Sequence, residues 1–219
     1  MARGDSRPAV QYKSTAARRA AYLEIMRRRI RPGRGSSLAL LRSRESYPMP
    51  DLTALLPGVR YVVVGGTATS LYMAQRITRD VDVLVSAADA AAVEQALVRA
   101  GATYEGPLSI DNPLQIEETA WKLPDSTYLD VLWSARPWVR GALTRPQRDS
   151  AGTPVVSLPY LVLMKLASSR GADVGDLSRM LGGAEEDSLV EVRKVVRRFL
   201  PDALDDLESL TELGRLEFQ

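Results

Sequence analysis

Residues 61–85 read YVVVGGTATSLYMAQRITRDVDVLV, and this stretch decides the fold class. Four β-forming residues run into a Gly-Gly pair, the next ten residues have helical spacing, and the last five are again β-forming. The stretch therefore predicts a strand, a tight glycine turn, a helix and a second strand. Asp80 and Asp82 stand where that second strand begins.

The rest of the chain supplies further strands and helices around this unit. Two β-prone segments flank Pro124-Asp125-Ser126 and predict a hairpin. The pattern predicts strands at 115–123, 127–133 and 153–156, helices at 16–31, 38–44, 89–100, 158–169, 173–181, 188–200 and 202–213, and a loop at 135–151. This order predicts an α/β (α+β) fold, in which a small mixed sheet has flanking helices and a helical C-terminal part follows.

The composition excludes several kinds of chemistry. The 219 residues contain no cysteine and no histidine, which excludes disulfides, thiolate or imidazole metal sites, and Cys or Ser-His-Asp nucleophiles. Catalysis would have to use carboxylates, lysine or arginine, and a hard cation that binds oxygen. No apolar run approaches the ~20 residues of a bilayer span, and no signal-peptide pattern opens the chain. We therefore expect a cytoplasmic protein without a membrane partner.

Charge is distributed unevenly along the chain. Residues 1–44 carry 12 Lys and Arg against two acids, a net charge of +10, and the remaining residues carry a net charge of −8. Such a segment suits a polyanion such as RNA, since every phosphate contact releases counterions. A solvated basic tail is the alternative. We call residues 1–50, with their predicted helix, the basic arm.

Three aspartates are candidates for a metal site. Asp80 and Asp82 are two residues apart on one predicted strand, so their side chains leave the same face. Asp130 lies in the hairpin's second arm, where the alternation expects a buried residue. Two Mg²⁺ ions about 3.5–4 Å apart, with Mn²⁺ as an alternative, would satisfy all three carboxylates through oxygen ligands. The structural alternative is that Asp80 caps a turn and Asp82 pairs with Arg76 or Arg79.

The glycine turn makes the metal site more specific. Gly65 and Gly66 lie between a strand and a helix, and Thr67 adds a hydroxyl beside them. Backbone N–H groups at such a helix start are a preferred site for phosphate, whereas the alternative is an ordinary tight turn. The turn and the acids together favour binding of a nucleoside triphosphate with its metal ions.

The same stretch resembles a known family. GGTATSLYMAQRITRDVDVLV looks like the first signature of the nucleotidyltransferase superfamily, and its Arg-x-Thr-x-Asp-x-Asp form, which begins at Arg76, is most similar to AbiEii-type nucleotidyltransferase toxins of toxin–antitoxin systems. VVSLPYLVLMKLASSRGADVGDLSRML looks like that family's later block of a helix with a lysine, an arginine, and an aspartate opening the next helix. The resemblance implies a minimal nucleotidyltransferase fold, with a catalytic core at residues 51–157 completed by the helical part at 158–219.

The resemblance also implies roles for individual residues. The catalytic candidates are Asp80, Asp82, Asp130, Lys165 and Asp176, the nucleotide-binding candidates are Gly65, Gly66, Thr67, Lys165 and Arg170, and the metal-ligand candidates are Asp80, Asp82 and Asp130. Asp130 would be the general base on the acceptor hydroxyl, and Lys165 would reach the triphosphate. Asp173 competes with Asp176 for the role of the late acid. Taken from the residues alone, Lys165 either extends its ammonium group to solvent or meets an anion.

The implied activity is transfer of a nucleoside monophosphate from a nucleoside triphosphate to an acceptor hydroxyl at the tRNA 3′ end, with release of pyrophosphate. The implied partners are the triphosphate, the RNA acceptor and a cognate antitoxin protein. The alternatives are the same fold acting on a small-molecule antibiotic or a protein side chain, and an inert, antitoxin-like protein that binds nucleic acid. Thr78 is a candidate for inhibitory phosphorylation, because added negative charge would compete for the metals and repel the triphosphate.

Overall fold

The computed structural model describes residues 14–29, 49–73, 80–108 and 112–218. The predicted helix at 38–44 and the motif residues Arg76 and Thr78 lie outside these ranges. Within them, no helix combines the length and the apolar character that a bilayer span requires.

A seven-stranded mixed sheet lies at the centre of the described chain. Its strands are β1 (Tyr61–Val63), β2 (Asp80–Val85), β3 (Thr103–Pro107), β4 (Glu117–Lys122), β5 (Tyr128–Trp133), β6 (Gln147–Arg148) and β7 (Pro154–Val155). Their order across the sheet is β3-β4-β5-β2-β1-β7-β6. The pairs β2–β5 and β1–β7 are parallel, and the other neighbours are antiparallel. The prediction of a mixed sheet is confirmed.

The two central strands, β2 and β5, are apolar at one end and acidic at the other. Val83, Leu84 and Val131 are completely inaccessible to solvent, so the later part of this strand pair is buried on both faces. The first residues of the pair are more accessible, and Asp80 is exposed. The strands are therefore anchored by their later residues while their N-terminal ends present polar groups.

Helices surround the sheet and form the C-terminal part. They are α1 (Thr15–Arg29), α2 (Leu52–Leu55), α3 (Gly65–Ala68), α4 (Ala90–Arg99), α5 (Trp138–Thr144), α6 (Leu158–Ser168), α7 (Gly171–Gly182), α8 (Glu186–Phe199) and α9 (Leu204–Phe218), with 3₁₀ turns at Thr69–Leu71 and Pro201–Ala203. The α6 helix is buried from Leu161 to Ala167, and it packs against α3, α5, α7 and α8. A helix that is apolar on all sides takes such an interior position.

Several elements differ from the sequence prediction, which gave neither α2 nor β3. Residues 135–151, predicted as a loop, contain α5 and β6. The buried residues of α5 are Trp138, Val139, Ala142 and Leu143. Their spacing is that of one helix face, but flanking Pro, Arg and Gly residues obscured it. The helix predicted after the glycine turn is, in the described residues, a single α-helical turn followed by a 3₁₀ turn.

The α7 and α9 helices pack closely together at Gly182 and Gly214. A Cβ added at Gly214 would lie 1.9 Å from the carbonyl oxygen of Ser178 and 2.8 Å from the backbone nitrogen of Gly182. Gly214→Ala is therefore expected to lower the free energy of unfolding by about 1–3 kcal/mol, because the helices must separate to admit a methyl group.

Gly175→Ala is the matched control for this prediction. Gly175 also lies within α7, but nothing lies within 4 Å of a Cβ added there. Alanine should therefore be neutral or stabilise the helix by up to about 1 kcal/mol. Urea unfolding of the three proteins measures both effects, and a Gly214→Ala protein as stable as the wild type would contradict the close packing.

Candidate active site

Three aspartates come together at the N-terminal ends of β2 and β5. Because these strands are parallel neighbours, their register places Asp82 beside Asp130, and Asp80 leaves the same face two residues before Asp82. One carboxylate oxygen from each residue lies within 4.8 Å of the other two. We call these three residues the acid cluster. Arg76 and Arg79, the alternative ion-pair partners of Asp82, lie outside the described residues.

Burial and mutual repulsion raise the pKa of two carboxyls in this cluster. Burial first, and then the negative charges of Asp80 and Asp130, raise the pKa of Asp82 to about 7, against the opposing effects of Arg170 and the Gly66 N–H. Burial and the charge of Asp80 raise the pKa of Asp130 to about 6. Close carboxylates with so little compensating charge favour an added cation. The all-oxygen donor set therefore fits a hard divalent metal.

The glycine turn packs directly against the carboxylate of Asp82. Gly65 has a φ of +60°, and a Cβ added there would lie 1.9 Å from Oδ2 of Asp82. A larger residue would therefore displace that carboxylate. The next residue, Gly66, donates its backbone N–H to Asp82, and the Thr67 hydroxyl donates to the carbonyl oxygen of Asp80 at 3.4 Å. The turn is thus part of the acid cluster's surroundings, and its contacts with phosphate stay a prediction.

Glu118 on β4 adds a fourth carboxyl that the sequence analysis missed. The register of β4 with β5 places Ala120 opposite Asp130, and Glu118 leaves the same face two residues earlier. Burial and the charges of Asp130 and Asp82 raise the pKa of Glu118 to about 7. The alternation in EETAWK was a usable signal, but only the order of the strands shows that this face meets the aspartates.

Glu118→Gln is expected to weaken Mg²⁺ binding by about 10-fold to 100-fold, the usual effect of losing a group that flanks metal ligands. Glu117→Gln is the matched control, because Glu117 is exposed and its side chain leaves the opposite face of the same strand. Titration calorimetry with MgCl₂ measures both affinities. Equal affinities in Glu118→Gln and the wild type would exclude Glu118 from the metal's surroundings.

Lys165 on α6 is buried and meets carboxylates. The residue is 4% exposed, and its ammonium donates to Oδ1 of Asp173 at 2.7 Å and to Oδ2 of Asp176 at 2.8 Å. Extension of the ammonium to solvent, one of the two alternatives, is therefore wrong. Asp173 and Asp176, the two candidates for the late acid, therefore contact the same ammonium. These contacts offset the cost of burying its charge. The catalytic roles of all three residues stay predictions.

Arg170 brings a second cation to the site from the corner between α6 and α7. Its Nε donates to Oδ2 of Asp173 at 3.0 Å, while its side chain remains 64% exposed. Its charge opposes the rise in pKa of the Asp82, Asp130 and Glu118 carboxyls. Arg170 therefore acts electrostatically on the acids of β2, β4 and β5 while it is hydrogen-bonded to α7.

A cavity of about 60 Å³ lies where the acids meet the cations. Its polar lining includes Gly65, Asp82, Glu118, Lys165, Arg170 and Asp173. This volume has room for ordered water molecules, and therefore for phosphate oxygens or a hydrated cation. A larger groove of about 1140 Å³ runs along α5, α6 and α8. Neither the acid cluster nor Glu118 lines that groove, so the chemistry is assigned to the smaller cavity.

Comparisons with known proteins give only distant similarities. No protein-family profile matches the chain, and a search of curated proteins finds no relative. A solved structure of ANT(2″)-Ia in complex with adenylyl-2″-tobramycin is similar at 14% identity and a TM-score of 0.35, over 77% of this chain and 97% of that chain. Terminal uridylyl transferase 4 from Trypanosoma brucei with bound GTP is similar at 12% identity and a TM-score of 0.29, over 93% of this chain and 70% of that chain.

Similarity at this level carries no conclusion about activity. The resemblance to AbiEii-type toxins is not confirmed and stays a prediction.

Proposed function

We propose that the chain is a metal-dependent nucleotidyltransferase, which moves a nucleoside monophosphate from a nucleoside triphosphate to an acceptor hydroxyl and releases pyrophosphate. The observation that carries this proposal is the acid cluster, three carboxylates within 4.8 Å of one another on adjacent parallel strands. Two parallel strands hold these ligands rigidly, which is what a metal site needs for transfer of a phosphoryl group.

The three aspartates of the acid cluster each have a chemical part in this proposal. Asp80, Asp82 and Asp130 would hold two Mg²⁺ ions. Such ions supply a Lewis acid at the α-phosphate and a lowered pKa at the attacking hydroxyl. Asp130, which lies beside Asp82 on the neighbouring strand, would accept the proton of the attacking hydroxyl as a general base.

The cations on the opposite wall would bind the triphosphate. Lys165 and Arg170 line the same cavity as Asp82, and two aspartates fix the Lys165 ammonium in that wall. The proposal places phosphate oxygens inside this cavity and the nucleoside outside it. The wall formed by α6 and α7 supports the assignment of residues 158–219 as the part that completes the core at 51–157.

The proposed acceptor is the 3′ end of tRNA, with the chain acting as the toxin of a toxin–antitoxin pair. The basic arm, with a net charge of +10 over residues 1–44, supports a polyanionic acceptor. A small hydroxylated molecule or a protein side chain is the alternative acceptor for the same chemistry.

An assay with purified protein, Mg²⁺, total tRNA and each of four labelled nucleoside triphosphates tests this function. Label should enter tRNA, and EDTA and Asp80→Asn should each abolish its incorporation. Asp205→Asn, at an exposed position in the first turn of α9, should leave it unchanged. Small hydroxylated molecules and proteins are then offered in place of tRNA, and label on one of them would identify that class as the acceptor instead. Binding of a nucleotide without transfer to any acceptor would reject the proposed enzymatic activity.

A further inference from the structure

Part of the basic arm, the α1 helix, packs against the helical C-terminal part of the protein. Within α1, Leu23 is buried and Arg19 is only 1% exposed, and the helix packs against α6, α7 and α9. Arg19 is one of the largest fully buried side chains among the described residues.

The Arg19 guanidinium joins two parts of the helical region. Its Nε donates to Oδ2 of Asp206 at 2.6 Å, and its Nη2 donates to Oδ2 of Asp202 at 3.2 Å. Its Nη1 points to the end of α6, where it donates to the carbonyl oxygen of Leu166 at 3.1 Å and to Oγ of Ser169 at 3.4 Å. A planar fork of donors can make these contacts together, which the single ammonium of a lysine cannot do.

Two neighbours of Arg19 contact the same corner between α6 and α7. Arg18 donates from Nη2 to the carbonyl oxygen of Ser168 at 2.6 Å. The Tyr22 ring lies so close to Gly171 that an added Cβ would be 3.0 Å from it. One face of α1 therefore contacts the corner at positions 168, 169 and 171.

This corner carries the cationic wall of the candidate active site. Ser169 has a φ of +51°, a left-handed conformation that is unfavourable for a residue with a side chain and needs support from its surroundings. On either side of it, Ser168 donates its hydroxyl to Asp173, and Arg170 donates to Asp173. Lys165, which lies one turn earlier, also donates to Asp173.

We propose that Arg18 and Arg19 are positioning residues, which hold the α6–α7 corner and thereby place Arg170 and the Lys165–Asp173 pair opposite the acid cluster. This inference rests on the proposed nucleotidyl transfer and extends it to a part of the chain that contacts no acid of the cluster. It also removes these two arginines from the charges of the basic arm that are free to bind RNA.

The experiment compares Arg18→Met, Arg19→Met and Arg19→Lys with Arg28→Met. Arg28 is the matched control for hydrogen exchange, because it lies on the same helix, is exposed, and pairs only with Glu24 of that helix among the described residues. Amide hydrogen exchange over residues 168–173 is measured first, because it does not depend on activity. Steady-state kcat and KM for triphosphate and acceptor are measured next.

Exchange at the corner should be faster in all three variants of Arg18 and Arg19 and unchanged in Arg28→Met. The kcat of the Arg18 and Arg19 variants should fall by about 10-fold to 100-fold, which is the effect of misplacing groups that touch the reacting phosphates. Their KM for the acceptor should stay as in the wild type. Arg19→Lys should not rescue kcat, since a lysine lacks the fork. It also keeps the positive charge, so it remains informative if Arg19→Met does not fold.

Two results would overturn the proposal. Unchanged exchange over residues 168–173 would show that α1 does not hold the corner. A raised acceptor KM with an unchanged kcat would show that these arginines bind the acceptor. A wild-type chain without transfer activity would reject the proposed function instead, and the exchange measurement would still decide whether Arg18 and Arg19 hold the corner.

Discussion

Asp82→Asn is expected to abolish nucleotidyl transfer and, at the same time, to stabilise the metal-free protein. Activity should fall by more than about 100-fold, because loss of a group that merely flanks a metal ligand already costs 10-fold to 100-fold. If Asp82 had a purely structural role, the substitution would lower the stability of the metal-free protein. The two measurements together therefore separate a functional aspartate from a structural one.

The gain in stability follows from the raised pKa of Asp82, which is about 7 in the folded chain against an ordinary value of 3.8, mainly through burial. An acid with a higher pKa in the folded state binds protons on folding, so its ionisation costs stability. The cost is absent below the ordinary pKa, grows as the pH rises to about 7, and is constant above that. At pH 8 it amounts to as much as about 4 kcal/mol, and asparagine removes it.

Urea unfolding in EDTA at pH 8 and pH 4 measures this effect. The stability advantage of Asp82→Asn should be large at pH 8 and small at pH 4. Adding Mg²⁺ should raise the melting temperature of the wild type more than that of the variant, since a ligand that binds only the folded state stabilises it. The exposed control, Asp205→Asn, should stay within about 0.5 kcal/mol of the wild type at both pH values. A variant of Asp82 less stable than the wild type at pH 8 in EDTA would contradict the metal site.

The central strands and the acid cluster could be predicted from the sequence because their signals are local. A run of β-forming residues into a Gly-Gly pair gives β1 and the turn, and the spacing of Asp80 and Asp82 puts both on one face of a strand. Asp130 was recognisable as a carboxylate within an apolar strand. Each of these signals is contained in a stretch of a few neighbouring residues.

The residues that could not be predicted depend on contacts between distant segments. Glu118 enters the site only because β4 pairs with β5 in a register that places Ala120 opposite Asp130. The β3 strand, with mostly exposed residues, has little apolar alternation to reveal it. The burial of Arg19 is explained by hydrogen bonds to residues at least 147 positions later in the chain, at the end of α6 and near the start of α9. Strand order and helix docking are set by the whole core, so no local pattern contains them.

Lys165→Met is expected to have the largest effect on folding. The substitution leaves Asp173 and Asp176 buried, with Arg170 as the only remaining cation described in contact with Asp173. Removing one partner of a buried ion pair costs about 3–5 kcal/mol, because the carboxylates stay buried after the ammonium that opposed their charge is lost. Urea unfolding at pH 7 should show a loss of this size.

The pH dependence identifies the cause of that loss. Burial alone would raise the pKa of Asp173, but the charges of Lys165 and Arg170 hold it below its usual range in the wild type. This lowered pKa stabilises the wild type above pH 3.8, and the contribution is lost as the pH falls through the folded pKa. Without the ammonium, burial should raise the pKa instead. The gap in stability between wild type and variant should therefore narrow as the pH falls from 7 to 4.

The double variant Lys165→Met/Asp176→Asn separates folding from binding of the triphosphate. Removing one of the two carboxylates should restore part of the lost stability, since less buried charge is then uncompensated. If Lys165 contacts the triphosphate as proposed, the double variant should fold and still fail to transfer nucleotide. Asp176→Asn alone keeps the Lys165–Asp173 pair, so its activity shows how much of the loss comes from Asp176 itself. A double variant that regains transfer along with stability would mean that the Lys165 ammonium only neutralises the two aspartates. The contacts with phosphate would then be made by Arg170 and the metal ions.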